Sequence, residues 1–125
     1  MTRILLIDDD NAVRRLLREM LQTGGHEVVD ASNGEKALKL LHDHPCELVV
    51  TDIFMPDMDG LATLMELRKT RPEIRVIAIS GGSPRVGTDM LVAAKRLGAV
   101  RTLAKPILRA DLLKAVEEAM AADVF

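Results

Sequence analysis

Three consecutive aspartates, Asp8-Asp9-Asp10, follow a short apolar run near the start of the chain, and a fourth, Asp52, follows another. Ser80 and Lys105 end two further runs of the same kind. Carboxylates gathered in one pocket repel one another, so they either take up protons or recruit a cation. All-oxygen ligands favour a hard ion. A site with few carboxylates and open positions suits Mg²⁺, which keeps waters and accepts phosphate oxygens. A nearby lysine and hydroxyl complete an anion site. Around a carboxylate nucleophile, these groups make a phosphoryl-transfer constellation. Metal and lysine neutralise charge on the transferring group, and an aspartate oxygen attacks in line. Each piece alone has a plainer reading. The aspartate triplet reads equally as a solvated loop capping a helix, Asp52 as a helix cap, Ser80 as a strand-end residue and Lys105 as a solvent-facing cation. The weight lies in where the elements put them together.

Two periodicities alternate along the chain. Arg3 to Ile7 is a continuous apolar run that reads as a strand buried on both faces. Val13, Leu16, Leu17, Met20 and Leu21 then mark one helical face, with Arg14, Arg15 and Arg18 on the other, and Gly24-Gly25 stops the helix. Glu27 to Ala31 reads as a second strand. Ser32 and Glu35 have the spacing of a capping box opening helix two, whose buried face is Ala37, Leu38 and Leu41. A third strand, Glu47 to Thr51, leads through the loop Asp52 to Gly60 into a third helix closed by Pro72. Strand four spans Arg75 to Ser80, a glycine-containing loop from Gly81 to Gly87 follows, and helix four runs roughly from Thr88 to Leu97. Val100 to Ala104 is strand five, and helix five extends from about Arg109 to Ala122.

Strand-helix repeated five times predicts an α/β fold with a parallel sheet covered on both faces. Right-handed crossovers leave few topologies. The flavodoxin-like doubly wound (βα)5 sandwich with order 2-1-3-4-5 fits best, and in it ligands bind beyond the carboxyl ends of the strands. Asp8, Asp9, Asp52, Ser80 and Lys105 all follow or end strands there, so they converge on one rim. The 125 residues fit one domain, 1–125.

Composition trims the alternatives. Seventeen basic against nineteen acidic residues give a net charge of -2, which does not suggest a nucleic-acid binder. With no Trp, no Tyr and two Phe, little is available to stack on a flavin, a base or a sugar. Cys46 stands alone, so it reads as a small apolar residue entering a strand, and a reducing cytoplasmic location is the simplest match. The run Ile4 to Ile7 is far too short for a signal-peptide core or a membrane span. His26, His42 and His44 have no metal spacing and read as surface residues. The glycines at 81, 82 and 87 form neither a dinucleotide fingerprint nor a P-loop.

Ile7-Asp8-Asp9, the stretch Asp52-Ile-Phe-Met-Pro-Asp-Met-Asp-Gly60, Ile79-Ser80-Gly81 and Lys105-Pro106, in this order and spacing, resemble the receiver domain of bacterial two-component response regulators, of the chemotaxis-regulator type. The resemblance covers the whole chain. It implies that Asp52 is the phospho-acceptor and that Asp9 ligates Mg²⁺ directly with Asp52. Asp8 would act mainly through water, and the backbone carbonyl of Phe54 would be a further ligand. Ser80 would be the switch hydroxyl and Lys105 the partner of Asp52 or its phosphate, with Lys105-Pro106 a cis peptide. The phosphoryl group would come from a histidine on a sensor kinase or a phosphotransfer protein. The domain would catalyse its own phosphorylation and hydrolysis without being a dedicated enzyme. A downstream protein partner and a weak homodimer are further implications, as is the absence of membrane or nucleic-acid contacts by this domain.

The chain departs from the family pattern at the output end. Receivers often carry an aromatic three residues before the lysine, and another after the Lys-Pro pair. Thr102 and Ile107 stand there instead. The resemblance then places coupling in repositioning of the loop after Ser80 and of helix four. Arg14, Arg15 and Arg18 read as a solvated helix face, and by resemblance as part of a kinase-docking surface. Asp57 and Asp59 read as shaping their loop and capping helix three. Three other functions compete. A phosphatase of the haloacid dehalogenase type uses Asp-x-Asp after strand one, which Asp8-Asp9-Asp10 formally matches, although Ala12 replaces the expected Thr or Val. Flavin binding on the same fold conflicts with acids where the phosphate would sit. A docking module that is never phosphorylated would not need the full acceptor set. The domain is either a stand-alone receiver or one cut from a larger regulator.

Overall fold

A computed structural model describes residues 1–53, 60–81 and 91–122. Its strands are β1 (Arg3–Ile7), β2 (Glu27–Ala31), β3 (Leu48–Asp52), β4 (Arg75–Ser80) and β5 (Arg101–Ala104). All pair in parallel in the order β2-β1-β3-β4-β5, the topology expected from the alternating periodicities. The helices are α1 (Asn11–Thr23), α2 (Gly34–Asp43), α3 (Gly60–Thr70), α4 (residues 91–96 as described) and α5 (Arg109–Ala121). The start of the helix expected from Thr88 lies outside the described residues.

The strand side chains alternate between two cores. Ile4, Leu6, Val50, Ile77 and Ile79 meet Leu17 and Leu21 of α1 and Leu112 and Val116 of α5. Leu5, Ile7, Val49, Val76 and Ala78 meet Ala37 and Leu41 of α2, Leu64 and Leu67 of α3, and Ala94 of α4. Burial on both faces explains why β1, β3 and β4 read as unbroken apolar runs rather than alternating ones. Both cores are aliphatic, as the scarcity of aromatics requires.

Local signals set the element ends. Asp10 N-caps α1, its carboxylate accepting from the N–H groups of Ala12 at 2.9 Å and Val13 at 3.1 Å. Asn33, not Ser32, caps α2: its side chain accepts from Lys36 N–H at 2.8 Å. The helix begins at Gly34, so Ser32 stands one residue too early to reach that donor. Leu16, expected on the buried face of α1, is 52% exposed. It lies beside Pro106 and Ile107 on an open cleft, where α1 passes the edge of its core rather than its centre. Gly98, at φ 106°, ends the turn after α4 in a conformation that favours glycine. At the amino end of β4, the Arg75 guanidinium donates twice to the Ala122 carbonyl, at 3.2 and 3.1 Å, and so caps α5.

Candidate functional site

The strand register brings the sequence-predicted residues to one rim. Ile7 pairs with Thr51, Asp52 with Ile79, and Ser80 with Ala104. Asp8 therefore follows β1 beside Asp52, which ends β3, while Ser80 ends β4 and Lys105 follows β5. The third strand runs one residue further than expected, so Asp52 belongs to the sheet and not to the loop. The Ile53 N–H extends the ladder by donating to Ile79 O at 2.9 Å.

Asp8 is completely buried, Asp52 is 4% exposed and Asp9 is exposed. The Lys105 ammonium lies between the two buried carboxylates, 3.1 Å from Asp8 Oδ2 and 3.0 Å from Asp52 Oδ2. Asp8 Oδ1 accepts from Asp10 N–H at 2.9 Å, which curls the chain out of the sheet and into α1. Ser80 is buried, and its hydroxyl donates to Gly81 O at 3.2 Å. Gly81 is also close to the lysine: a Cβ there would stand 3.0 Å from Lys105 Cδ. The Lys105-Pro106 peptide is cis, as the resemblance implied.

Burial pushes the Asp8 carboxyl above its ordinary pKa, and the Asp52 charge adds to that, against the Asp10 N–H and Lys105, which pull it down. For Lys105, burial alone would lower the pKa, but the bonds and charges of Asp52 and Asp8 together outweigh it, so the ammonium is held above its usual value. A cation fits this cluster. Asp8, Asp9 and Asp52 each present an oxygen within 4.8 Å of the others. Asp8 Oδ2 is buried without a hydrogen bond, having only the ion pair with Lys105. An all-carboxylate set with an open exposed side suits a hard divalent ion such as Mg²⁺.

The close approach of α3 to this rim requires Gly60. A Cβ there would stand 2.1 Å from Ile53 Cα and 2.4 Å from the Asp52 carbonyl oxygen. Phe54, with the carbonyl expected as a ligand, lies outside the described residues, as do Asp57, Asp59, Gly82 and Gly87.

The sequence reading missed Asp30. Its carboxylate on β2 accepts from Arg14 Nε at 2.8 Å with one oxygen and from Arg18 with the other. Two of the three arginines read as a solvated face are thus tied to the sheet, and of the three only Arg15 is exposed. The available signal was an acid inside a strand, matched by arginines one helical turn apart on the preceding helix. His26 is also not a plain surface residue. It is half-buried, its Nδ1 accepts from Thr2 N–H at 3.1 Å, and burial lowers its pKa. Cys46 is partly buried just before β3, with its thiol 3.2 Å from the His44 carbonyl, and burial pushes it up.

Comparison with known proteins agrees with this geometry. Residues 4–117 match the response regulator receiver domain family. The chain is 32% identical over 119 residues to the chemotaxis protein CheY of Bacillus subtilis, covering 94% of this chain and 97% of that protein. It is 34% identical over 117 residues to the DNA-binding transcriptional regulator NtrC of Azospirillum brasilense, covering 94% of this chain but only 24% of that much longer relative. The crystal structure of the receiver domain of NtrX from Brucella abortus superposes with a TM-score of 0.89 at 34% identity, covering 96% of this chain and 99% of that one. With its sheet order, its rim of aspartates and its sequence in accord, the chain belongs to the response regulator receiver domain family, a two-component signalling domain whose aspartate cluster serves phosphorylation and Mg²⁺ binding, and not a dedicated enzyme.

Proposed function

We propose that Asp52 is the phosphoryl acceptor, that Asp8, Asp9 and Asp52 together with the Phe54 carbonyl hold Mg²⁺, and that Ser80 and Lys105 respond to the phosphoryl group. The observation that carries this reading is the Lys105 ammonium between Asp8 and Asp52 at 3.1 and 3.0 Å, at the centre of the rim. When bound, the metal supplies positive charge against the phosphoryl oxygens. Asp52 sits between the Asp8 turn on one side and Ser80 on the other, so an incoming group meets an acceptor flanked by a cation site and a hydroxyl. An Asp52 carboxylate oxygen forms the new bond to phosphorus, and the P–N bond of a donor phosphohistidine breaks toward the imidazole. Lys105 is already poised on Asp52 Oδ2 to follow the added charge. Ser80 gives up its bond to the neighbouring Gly81 carbonyl to reach a phosphoryl oxygen, drawing in the strand-four end.

The donor we infer is a sensor histidine kinase or a histidine phosphotransfer protein. The output is a further protein partner, with at most weak pairing of two copies and no membrane or nucleic-acid contact by this domain. Among the described residues no helix is long and apolar enough to cross a membrane, and we assign the domain to the cytoplasm together with its inferred kinase donor. Residues 1–125 are read as one receiver domain. Coupling without an aromatic at Thr102 is assigned to movement of the loop after Ser80 and of α4.

The phosphatase alternative gains nothing from the geometry. Asp10, its second acid, is occupied as the cap of α1, its carboxylate bonded to the N–H groups of Ala12 and Val13. Intact mass spectrometry after incubation with acetyl phosphate and Mg²⁺ tests the proposal. Wild type should gain one phosphoryl mass and Asp52→Asn none. A variant that still gains it would remove Asp52 from the acceptor role.

A further inference from the structure

We propose that Arg14 is a positioning residue for the Mg²⁺ centre: braced by Asp30, it fixes the turn after β1 so that Asp8 and Asp9 hold the arrangement a cation needs. The inference rests on the Mg²⁺ reading above. One guanidinium joins three segments. Its Nε donates to Asp30 Oδ2 on β2 at 2.8 Å, one terminal nitrogen donates to the Asp8 carbonyl at 2.9 Å, and the other donates to Asn11 Oδ1 at 2.7 Å. The Asp8 peptide is held from its other side too, because its N–H donates to Ala31 O at 3.2 Å. Its carboxylate is oriented in turn by Asp10 N–H. Asp30 is itself steadied by Arg18 on its second oxygen. The side chains of Arg14 and Asp30 are only 17% and 22% exposed, so this is an ordered brace rather than a solvated pair. Serving three acceptors in fixed directions needs the planar fork of arginine, which a lysine ammonium does not provide.

Charge alone predicts the opposite of a brace. Arg14 is a cation close to a cation site, so removing it should ease Mg²⁺ binding by Coulomb repulsion relieved. Outer partners that orient ligands instead lower affinity when removed, typically by about 10–100-fold. The two accounts differ in sign.

The test is a titration of the full chain with Mg²⁺ alone, followed by amide chemical shifts in solution NMR, with spectral dispersion reporting the folded state. Arg14→Met should weaken Mg²⁺ binding roughly tenfold. Arg14→Lys, which keeps the charge and loses the fork, should weaken it as well. Arg15→Met, which removes the same charge from the exposed neighbour, should bind as wild type or more tightly. Should Arg14→Met not fold, Arg14→Lys decides. Wild-type or tighter affinity in Arg14→Met, or full affinity in Arg14→Lys, would overturn the proposal. Failure of the wild type to bind Mg²⁺ would instead overturn the reading beneath it, and this inference with it.

Discussion

At the scale of single residues, the site is a set of charges held closer than water would allow. Asp8 pays for its position: it is fully buried, its pKa is raised by burial, and among the described residues the Lys105 ammonium is the one partner of its Oδ2. A divalent ion would relieve that cost, so Mg²⁺ should stabilise the fold by mass action. At ten times its dissociation constant the gain is about 1.4 kcal/mol, or a rise of roughly 5 °C in Tm for a domain of this size. Thermal unfolding with and without Mg²⁺ checks this, and in Asp8→Asn the increment should fall by at least half. His26 carries a separate pH dependence. Its folded pKa lies below the ordinary imidazole value of 6.5 because burial disfavours the imidazolium, and the amino terminus opposes that charge too. The unfolded chain therefore takes up a proton first as pH falls through about 6.5, and stability declines from there downward. Urea unfolding of His26→Gln across pH 7 to 5 should show a flatter decline than wild type. Asp8, Asp9, Asp52, Ser80 and Lys105 were legible in the sequence because each falls at a strand end. Asp30 was not, because its role is pairwise: an acid inside a strand gains meaning only when matched to Arg14 and Arg18 on the preceding helix.

At the scale of elements, strands were easier to read than their limits. The aliphatic runs identify β1, β3 and β4 because burial on both faces leaves no polar alternation to blur them. Ser32 and Asn33 are both good N-caps, and only the observed start of α2 at Gly34 selects Asn33, one residue after the expected cap. The apolar face of α1 was drawn too wide. Helical spacing groups Leu16 with Leu17 and Leu21, but Leu16 lies at the border of that face, beside Pro106 and Ile107, and stays exposed. Gly60 shows an element placed by a missing atom. The first residue of α3 lies against Ile53 Cα and the Asp52 carbonyl, so Gly60→Ala must push the helix away from the end of β3. We expect a loss of about 3 kcal/mol, read from urea unfolding. Phosphoryl uptake should fall too, because the displaced backbone is that of Asp52 itself.

At the scale of the whole molecule, two aliphatic cores of different helices share one sheet, and the chemistry occupies only its carboxyl rim. The overall topology was readable from alternation alone, because five strand-helix units joined by right-handed crossovers leave few ways to cover both faces of a sheet. What pattern could not supply was the mechanical character of the rim. The ladder does not stop at Asp52: the Ile53 amide continues it by bonding to Ile79 O. Peptide hydrogens locked in a central parallel strand open only with the larger cooperative unit. Amide hydrogen-deuterium exchange should therefore find Ile53 among the slowest protons of the protein, and equally slow in the phosphorylated and unphosphorylated forms. Acceleration at Ile53 on phosphorylation would mean that the acceptor strand itself yields. On the proposed reading, that strand would act as an anvil: charge added at Asp52 would meet a surface that does not recoil, and its work would pass sideways to Ser80 and Lys105.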